Sequence, residues 1–180
     1  MVDKIITEIN QALDNNLYII ALTAALTLPD ICGKAEYPTL NTTTRYKRWY
    51  SENIGQYEIN PDNKKRNLDM PYLSEDVVYS LRCSLLHQGT PNINENLNIK
   101  FSLIIEKKNE FDIYCDSASY GSDGKTYSVS IRRLCCILCW TAEKYYKNNK
   151  NKFNFFNYSI TDIDKEINRI TNSRRKIDKI

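Results

Sequence analysis

His87 is the only histidine among 180 residues, and Arg82 precedes it by five positions in the stretch Ser80-Leu81-Arg82-Cys83-Ser84-Leu85-Leu86-His87-Gln88-Gly89. Imidazole is the one side chain whose unperturbed pKa suits both accepting and donating a proton near neutrality. A guanidinium is a permanent cation whose planar fork matches a phosphate or a developing oxyanion. Together the two groups suit proton transfer beside a phosphate; the plainer alternative is a surface or core histidine near an unrelated arginine. Cys83 lies four residues before His87 and can touch it on a helix, but neighbouring helical positions rarely give a thiolate the geometry for attack.

A helix must position these residues. Ser74 is a good N-cap, and Glu75 and Asp76 suit the positive end of the helix dipole. Val77, Val78, Leu81 and Leu85 form one apolar face. Arg82 and His87 fall about 140° apart on the flanks of the opposite face, with a rise of about 7.5 Å between them. Tyr79, Cys83 and Leu86 fill the arc between. A helix apolar on two sides is ordinarily buried on two sides, so one side is expected to pack on its own bundle and the other to meet a second subunit. Gly89 ends the helix.

Around this helix the pattern is mainly α. Ile5, Ile6, Ile9 and Leu13 mark a helix over 3–14. Leu17 to Leu28 is apolar almost all round, with Ala21, Ala24 and Ala25 permitting close contact, and reads as the centre of a bundle. Pro29 kinks or ends it, Gly33 is a left-handed stop, and Asp30, the one acidic residue beside this segment, is either a structural cap or pair or a candidate partner for Arg82. One of Thr42, Thr43 and Thr44 caps the next helix, which carries Arg45-Tyr46-Lys47-Arg48-Trp49-Tyr50 and ends near Gly55. Cations interleaved with aromatics suit phosphate contacts and base stacking, and Arg45, Lys47, Arg48 and Trp49 are the candidates for holding a nucleic-acid strand. The same pattern also describes an amphipathic helix with buried rings and a solvated basic face. Residues 56–71 read as a polar loop.

Beyond Pro91 two β-prone runs, Ile99–Glu106 and Phe111–Asp116, flank Lys107-Lys108-Asn109-Glu110 and predict a short antiparallel hairpin inserted over about 98–117. From Ser128 or Ser130 a second strong helix carries Ile131, Leu134, Cys135, Leu138, Ala142 and Tyr145 on one stripe, with Arg132 and Arg133 on its exposed side. An aromatic segment, Phe153 to Tyr158, suggests no chemistry. Ile160, Ile163, Ile167 and Ile170 mark a last amphipathic helix. The basic tail, 173–180, reads as disordered.

The length fits one domain, 1–180. A net charge of +3 neither demands nor opposes a nucleic-acid partner. No signal segment or membrane-spanning run stands out, so the six cysteines read as free thiols in a reducing, cytoplasmic setting. Cys135, Cys136 and Cys139 lack a second ligand pair and sit among apolar residues, so they read as core rather than as a metal site. No glycine-rich phosphate loop, internal repeat or cofactor motif is present, and neither a metal nor a cofactor is expected.

The Arg-x4-His spacing of Arg82 and His87 resembles the signature of the HEPN superfamily. Ala21-Leu22-Thr23-Ala24-Ala25-Leu26 leading to Pro29-Asp30-Ile31-Cys32-Gly33, with Arg45 to Tyr50 and Leu81 to Gly89, resembles a group of small hypothetical bacterial HEPN-like proteins over roughly residues 1–90. The resemblance implies an antiparallel helical bundle that dimerises, with two copies of the motif across a composite cleft. Many members are metal-independent endoribonucleases in toxin–antitoxin, phage-defence or stress systems, so RNA, a second copy and an antitoxin-like protein are the implied partners. In such cleavage the 2′-hydroxyl attacks its own phosphate, His87 moves protons and Arg82 steadies the phosphorane. Tyr79, Ser84, Cys83 and Asp30 are the supporting candidates. Many active members carry Asn, Asp or His after the arginine, where this chain has Cys83. Some members bind nucleic acid or nucleotides without cleaving, and a structural dimeric subunit is a further alternative.

Overall fold

A computed structural model of the chain describes residues 1–57, 73–93, 99–106, 117–121, 124–158 and 160–177. The fold is mainly helical with a small sheet. Seven helices are described: α1 Val2–Asp14, α2 Tyr18–Ala25, α3 Leu28–Glu36, α4 Thr42–Asn53, α5 Glu75–Gln88, α6 Ile131–Asn148 and α7 Ile163–Ile177.

Helix α1 buries Val2, Ile6, Ile9 and Leu13 as its spacing predicts. Asn16 turns the chain into α2 with a left-handed φ of 60°, and its side chain accepts a hydrogen bond from Tyr18 Oη at 2.8 Å. Asparagine tolerates that conformation better than most residues. The expected single helix from Leu17 to Leu28 is instead two. Helix α2 stops at Ala25, and Pro29 lies in the first turn of α3, where its missing N–H costs nothing. Nor is α2 buried all round, because Ile19 and Ile20 are exposed, as is Leu17 just ahead of it.

Gly33 is not a helix stop. It lies inside α3, where a Cβ would come within 2.7 Å of the Arg45 carbonyl oxygen, so its missing side chain lets α3 and α4 meet backbone to backbone. The stretch Tyr18–Glu36 does meet the length and hydropathy of a membrane span, contrary to the sequence reading. In this fold α2 packs on α1, α5 and α6, and α3 packs on α4 and α6.

The bundle is centred on α6, which packs against α1, α2, α3 and β3. Ser130 begins this helix. Its hydroxyl accepts from Arg133 N at 3.1 Å and donates to Glu106 at 2.8 Å. Ile131, Leu134, Cys135, Leu138, Cys139 and Ala142 are buried along it. Burial pushes the Cys32 and Cys135 thiols up and brings Cys139 up to about 12, the behaviour of packed, unreactive sulfur. Arg132, expected on the exposed side, is buried: it donates to the Leu13 carbonyl at 3.3 Å and to the Glu106 carbonyl at 3.4 Å. Its cation thereby caps the carbonyl end of α1.

Strands β1 Ile99–Ile104, β2 Ser117–Gly121 and β3 Gly124–Ser130 form one sheet in the order β1-β3-β2. Strand β1 runs parallel to β3 with Ile99 opposite Lys125, and β2 runs antiparallel to β3 with Ser117 opposite Ser128. Of the hairpin expected within 98–117, the first strand forms and pairs in parallel with β3, a strand that follows that window; Phe111–Asp116 lies outside the described residues. Phe101 and Tyr127 alternate inward and meet edge to face at 5.8 Å.

The aromatic segment after α6 is structural. Phe153 is buried against Tyr145 and Tyr146, at 6.0 and 4.9 Å between ring centroids. Lys152 Nζ donates to Glu36 at 2.6 Å and Tyr145 Oη donates to the same carboxylate, tying this segment to the end of α3. These two donors hold the Glu36 carboxyl below the usual carboxylate range. Helix α7 extends to Ile177, so most of the tail expected to be disordered is helical.

Candidate functional site

The helix that carries Arg82 and His87 forms as its sequence dictates. Ser74 Oγ accepts from Val77 N at 3.4 Å, and Gly89 closes the other end with a left-handed φ of 68°. Val77, Val78, Leu81 and Leu85 are buried, mainly against α4 and α2. Ser84 is buried too, on the core side, which withdraws its hydroxyl from a role at an open site.

His87 is exposed in the last turn of α5, and Arg82 is half-buried one and a half turns earlier. The Arg82 Nη1 lies 3.8 Å from Cys83 Sγ, and its Nε is enclosed without a hydrogen-bond partner among the described residues. Its positive charge reaches the buried Tyr46 hydroxyl. Burial raises the pKa of that phenol well above its ordinary value, and the Arg82 charge works in the opposite direction. The phenol itself donates to the Leu26 carbonyl at 3.1 Å.

Asp30 does not pair with Arg82. Its Oδ1 accepts from Arg45 Nε at 2.8 Å, and both side chains are largely covered. The pair sits beside the close approach at Gly33 and joins α3 to α4. The expected partnership fails because Arg45, on the helix that packs directly on α3, takes the carboxylate first.

The helix Thr42–Asn53 is capped by Asn41 rather than by a threonine, with Asn41 Oδ1 accepting from Thr44 N at 2.9 Å. Its three candidate strand-binding cations all have acidic partners. Besides Arg45 with Asp30, Lys47 Nζ lies 2.6 Å from Asp76 and Arg48 Nε lies 2.9 Å from Glu52. Trp49 is fully buried and meets Tyr145 edge to face at 5.5 Å, so it offers no ring to a base. The expectation of a stacking platform is corrected on this point: Tyr46, Trp49 and Tyr50 all face the core.

Tyr79 joins α5 to α4. Its hydroxyl shares a hydrogen bond with Thr43 Oγ1 at 2.7 Å, its ring meets Tyr46 at 5.2 Å, and Lys47 Nζ stands 5.3 Å from its centroid. A groove of about 490 Å³ runs between these helices, lined by Thr43, Lys47, Arg48, Glu52, Glu75 and Asp76 among others. Its charge is mixed. Glu52 is held below the usual carboxylate range by hydrogen bonds from Tyr37 and Arg48. The spacing of Arg48 and Glu52 was legible as a helical i,i+4 pair; Thr43 and Asp76 gave no sequence signal, because their partners lie on another helix.

Of the four arginines and lysines put forward for phosphate, only Arg82 has no carboxylate within 4.0 Å among the described residues. The site thus reduces to one uncommitted cation and one exposed imidazole on the same helix, bordered by Cys83 and Tyr79. No family model, curated protein or solved structure matches this chain.

Proposed function

We propose that this chain is a metal-independent endoribonuclease of the HEPN type, working as a homodimer. The observation that carries the reading is the state of the Arg82–His87 pair: Arg82 lacks a neutralising carboxylate among the described residues, while His87 is exposed at the end of the same helix. A guanidinium already saturated by an acid would have to break that pair before meeting a phosphate; Arg82 does not.

In the proposed reaction the RNA 2′-oxygen attacks its own phosphorus and the bond to the 5′-oxygen breaks. His87 of one copy accepts the 2′-hydroxyl proton, and a second His87 across the cleft supplies a proton to the departing 5′-oxygen. Arg82 meets the charge that accumulates on the phosphorane. The products are a 2′,3′-cyclic phosphate and a 5′-hydroxyl. The cellular setting that goes with this reading is cytoplasmic, in a toxin, phage-defence or stress role, with an antitoxin-like protein as regulator.

Cys83 favours a second reading. Its sulfur beside Arg82, at 3.8 Å, stands where a polar side chain would orient a catalytic site. The chain is then a module that holds RNA or a nucleotide without turnover. The deciding experiment incubates purified wild type and His87→Ala with a panel of RNAs and analyses the ends. Cleavage by wild type leaving 2′,3′-cyclic phosphate, reduced by about 10²–10⁴-fold in His87→Ala, is the expected result. Equal cleavage by both proteins, or none by either, ends the enzyme reading, and RNA affinity without cleavage selects the binding module.

A further inference from the structure

Helix α7 is amphipathic, and the side chains described along it are exposed. Every described side chain from Ile160 to Thr171 is exposed, including Ile160 at 58%, Ile163 at 61%, Ile167 at 54% and Ile170 at 46%. Within the helix Ile163, Ile167 and Ile170 recur at intervals of four and three residues, the register of a coiled-coil seam that Arg174 interrupts and Ile177 resumes, while Ile160 lies just ahead of the helix. Its 15 residues are near the length at which an isolated helix is only marginal in water. Asn168, Thr171, Asn172 and Ser173 are weak helix formers, and the four isoleucines add little. Its local ion pairs, Lys165–Asp162 at 3.1 Å and Arg169–Glu166 at 3.9 Å, are exposed and contribute little. Covering the isoleucine stripe is what would stabilise such a helix.

The charges say what covers it. The N-terminal end carries Asp162, Asp164 and Glu166 against Lys165, whereas the C-terminal half carries Arg169, Arg174, Arg175 and Lys176. The acidic end would be repelled by an anionic lipid surface, which recruits helices with a basic polar face. A second copy of the same helix laid antiparallel matches it: each acidic end comes to lie beside a basic end, and the two-fold axis falls between Ile167 and Ile170. In that register Ile167 of one copy lies level with Ile170 of the other, and Ile163 level with Arg174, whose aliphatic stem can cover an apolar neighbour while its charge stays in water. A parallel pair would set acid beside acid and base beside base, which is costly.

We infer that α7 is a dimerisation element, pairing antiparallel with α7 of a second copy through Ile163, Ile167 and Ile170. This inference does not depend on the reading of Arg82 and His87, because α7 and α5 are separate surfaces.

Sedimentation velocity on the full chain tests it. Wild type is expected to be dimeric, and Ile167→Asp to associate more weakly by on the order of 100-fold or more, since each dimer loses two buried isoleucines. Ile167→Leu is expected to stay dimeric. Near-UV circular dichroism of the buried tyrosines should be unchanged in Ile167→Asp, which separates loss of pairing from loss of folding. A spin label attached without thiol chemistry at position 176, inside the helix, is expected about 22 Å from its mate along the helix axis. The inference is overturned if wild type is monomeric, if Ile167→Asp dimerises like wild type, or if wild type binds phosphatidylserine vesicles as a monomer. A label separation of about 10 Å, the interaxial distance of a parallel pair, overturns the antiparallel order. A dimer that survives in Ile167→Asp but cleaves RNA through His87 would leave the proposed function standing while removing this one.

Discussion

Asp30 accepts a hydrogen bond from Arg45 at 2.8 Å, and that contact separates the arginines of this fold into structural and available ones. Arg45 is committed to joining α3 and α4. Arg82 keeps its charge without an acidic partner among the described residues. Asp30→Ala should therefore cost about 1–3 kcal/mol in urea denaturation, by stranding a largely covered guanidinium. It should leave the proposed RNA cleavage by the folded protein intact. Arg82→Ala should do the reverse, losing activity with little loss of stability. A drop in cleavage for folded Asp30→Ala would put Asp30 back into the site.

The same junction depends on Gly33. A Cβ there would meet a backbone oxygen, Arg45 O, at 2.7 Å, and a backbone atom cannot rotate away. Gly33→Ala should lower stability by about 1–3 kcal/mol through overpacking. Gly89→Ala meets no atom within 4 Å but must adopt a φ of 68°, so its cost, about 1–2 kcal/mol, comes from backbone strain alone. Thermal melts of the two variants check the pair. A neutral Gly33→Ala would mean that α3 and α4 sit farther apart.

Trp49 should behave as core. Removing a fully buried indole in Trp49→Ala is expected to cost about 3–5 kcal/mol. Trp49→Phe, which keeps a ring against Tyr145, should leave the proposed RNA binding at the wild-type level. Fluorescence anisotropy with a labelled RNA distinguishes the roles: weaker binding by a well-folded Trp49→Phe would show that the indole contacts the strand.

The Glu36 carboxylate gives a pH dependence of definite sign. Hydrogen bonds from Lys152 and Tyr145 depress its pKa in the folded state below the unfolded value of about 4.3. The folded state therefore binds fewer protons, and the stabilisation is present above the unfolded pKa. It is lost as pH falls through the folded one. The stability difference between wild type and Glu36→Gln should be largest near neutrality and shrink steadily below about pH 4. Urea midpoints at neutral and acidic pH measure it; a difference that grew on acidification would contradict the assignment. Partial exposure of the Glu36 and Lys152 side chains, 30% and 38%, keeps the effect modest.

Residue order by itself determined the local features. Ser74, Ser130 and Gly89 end their helices as their chemistry requires, because caps are settled by a few neighbouring backbone groups. The buried stripes of α1 and α6 follow from helical periodicity, which the chain carries within each segment. So does the placement of Arg82 and His87 on one helix. What only the tertiary structure decided is which elements meet. Strand β3 pairs in parallel with β1 across a long stretch of chain, a choice that local β propensity cannot encode. The centre of the bundle passed from the apolar 17–28 run to α6, because enclosure depends on neighbours rather than on hydropathy. Asp30 went to Arg45 rather than Arg82, Arg132 turned inward to the end of α1, and Trp49 faced the core for the same reason: each partner lies on another helix. Arg82 became the available cation by that distribution of partners, a property of the packed molecule and of no single stretch.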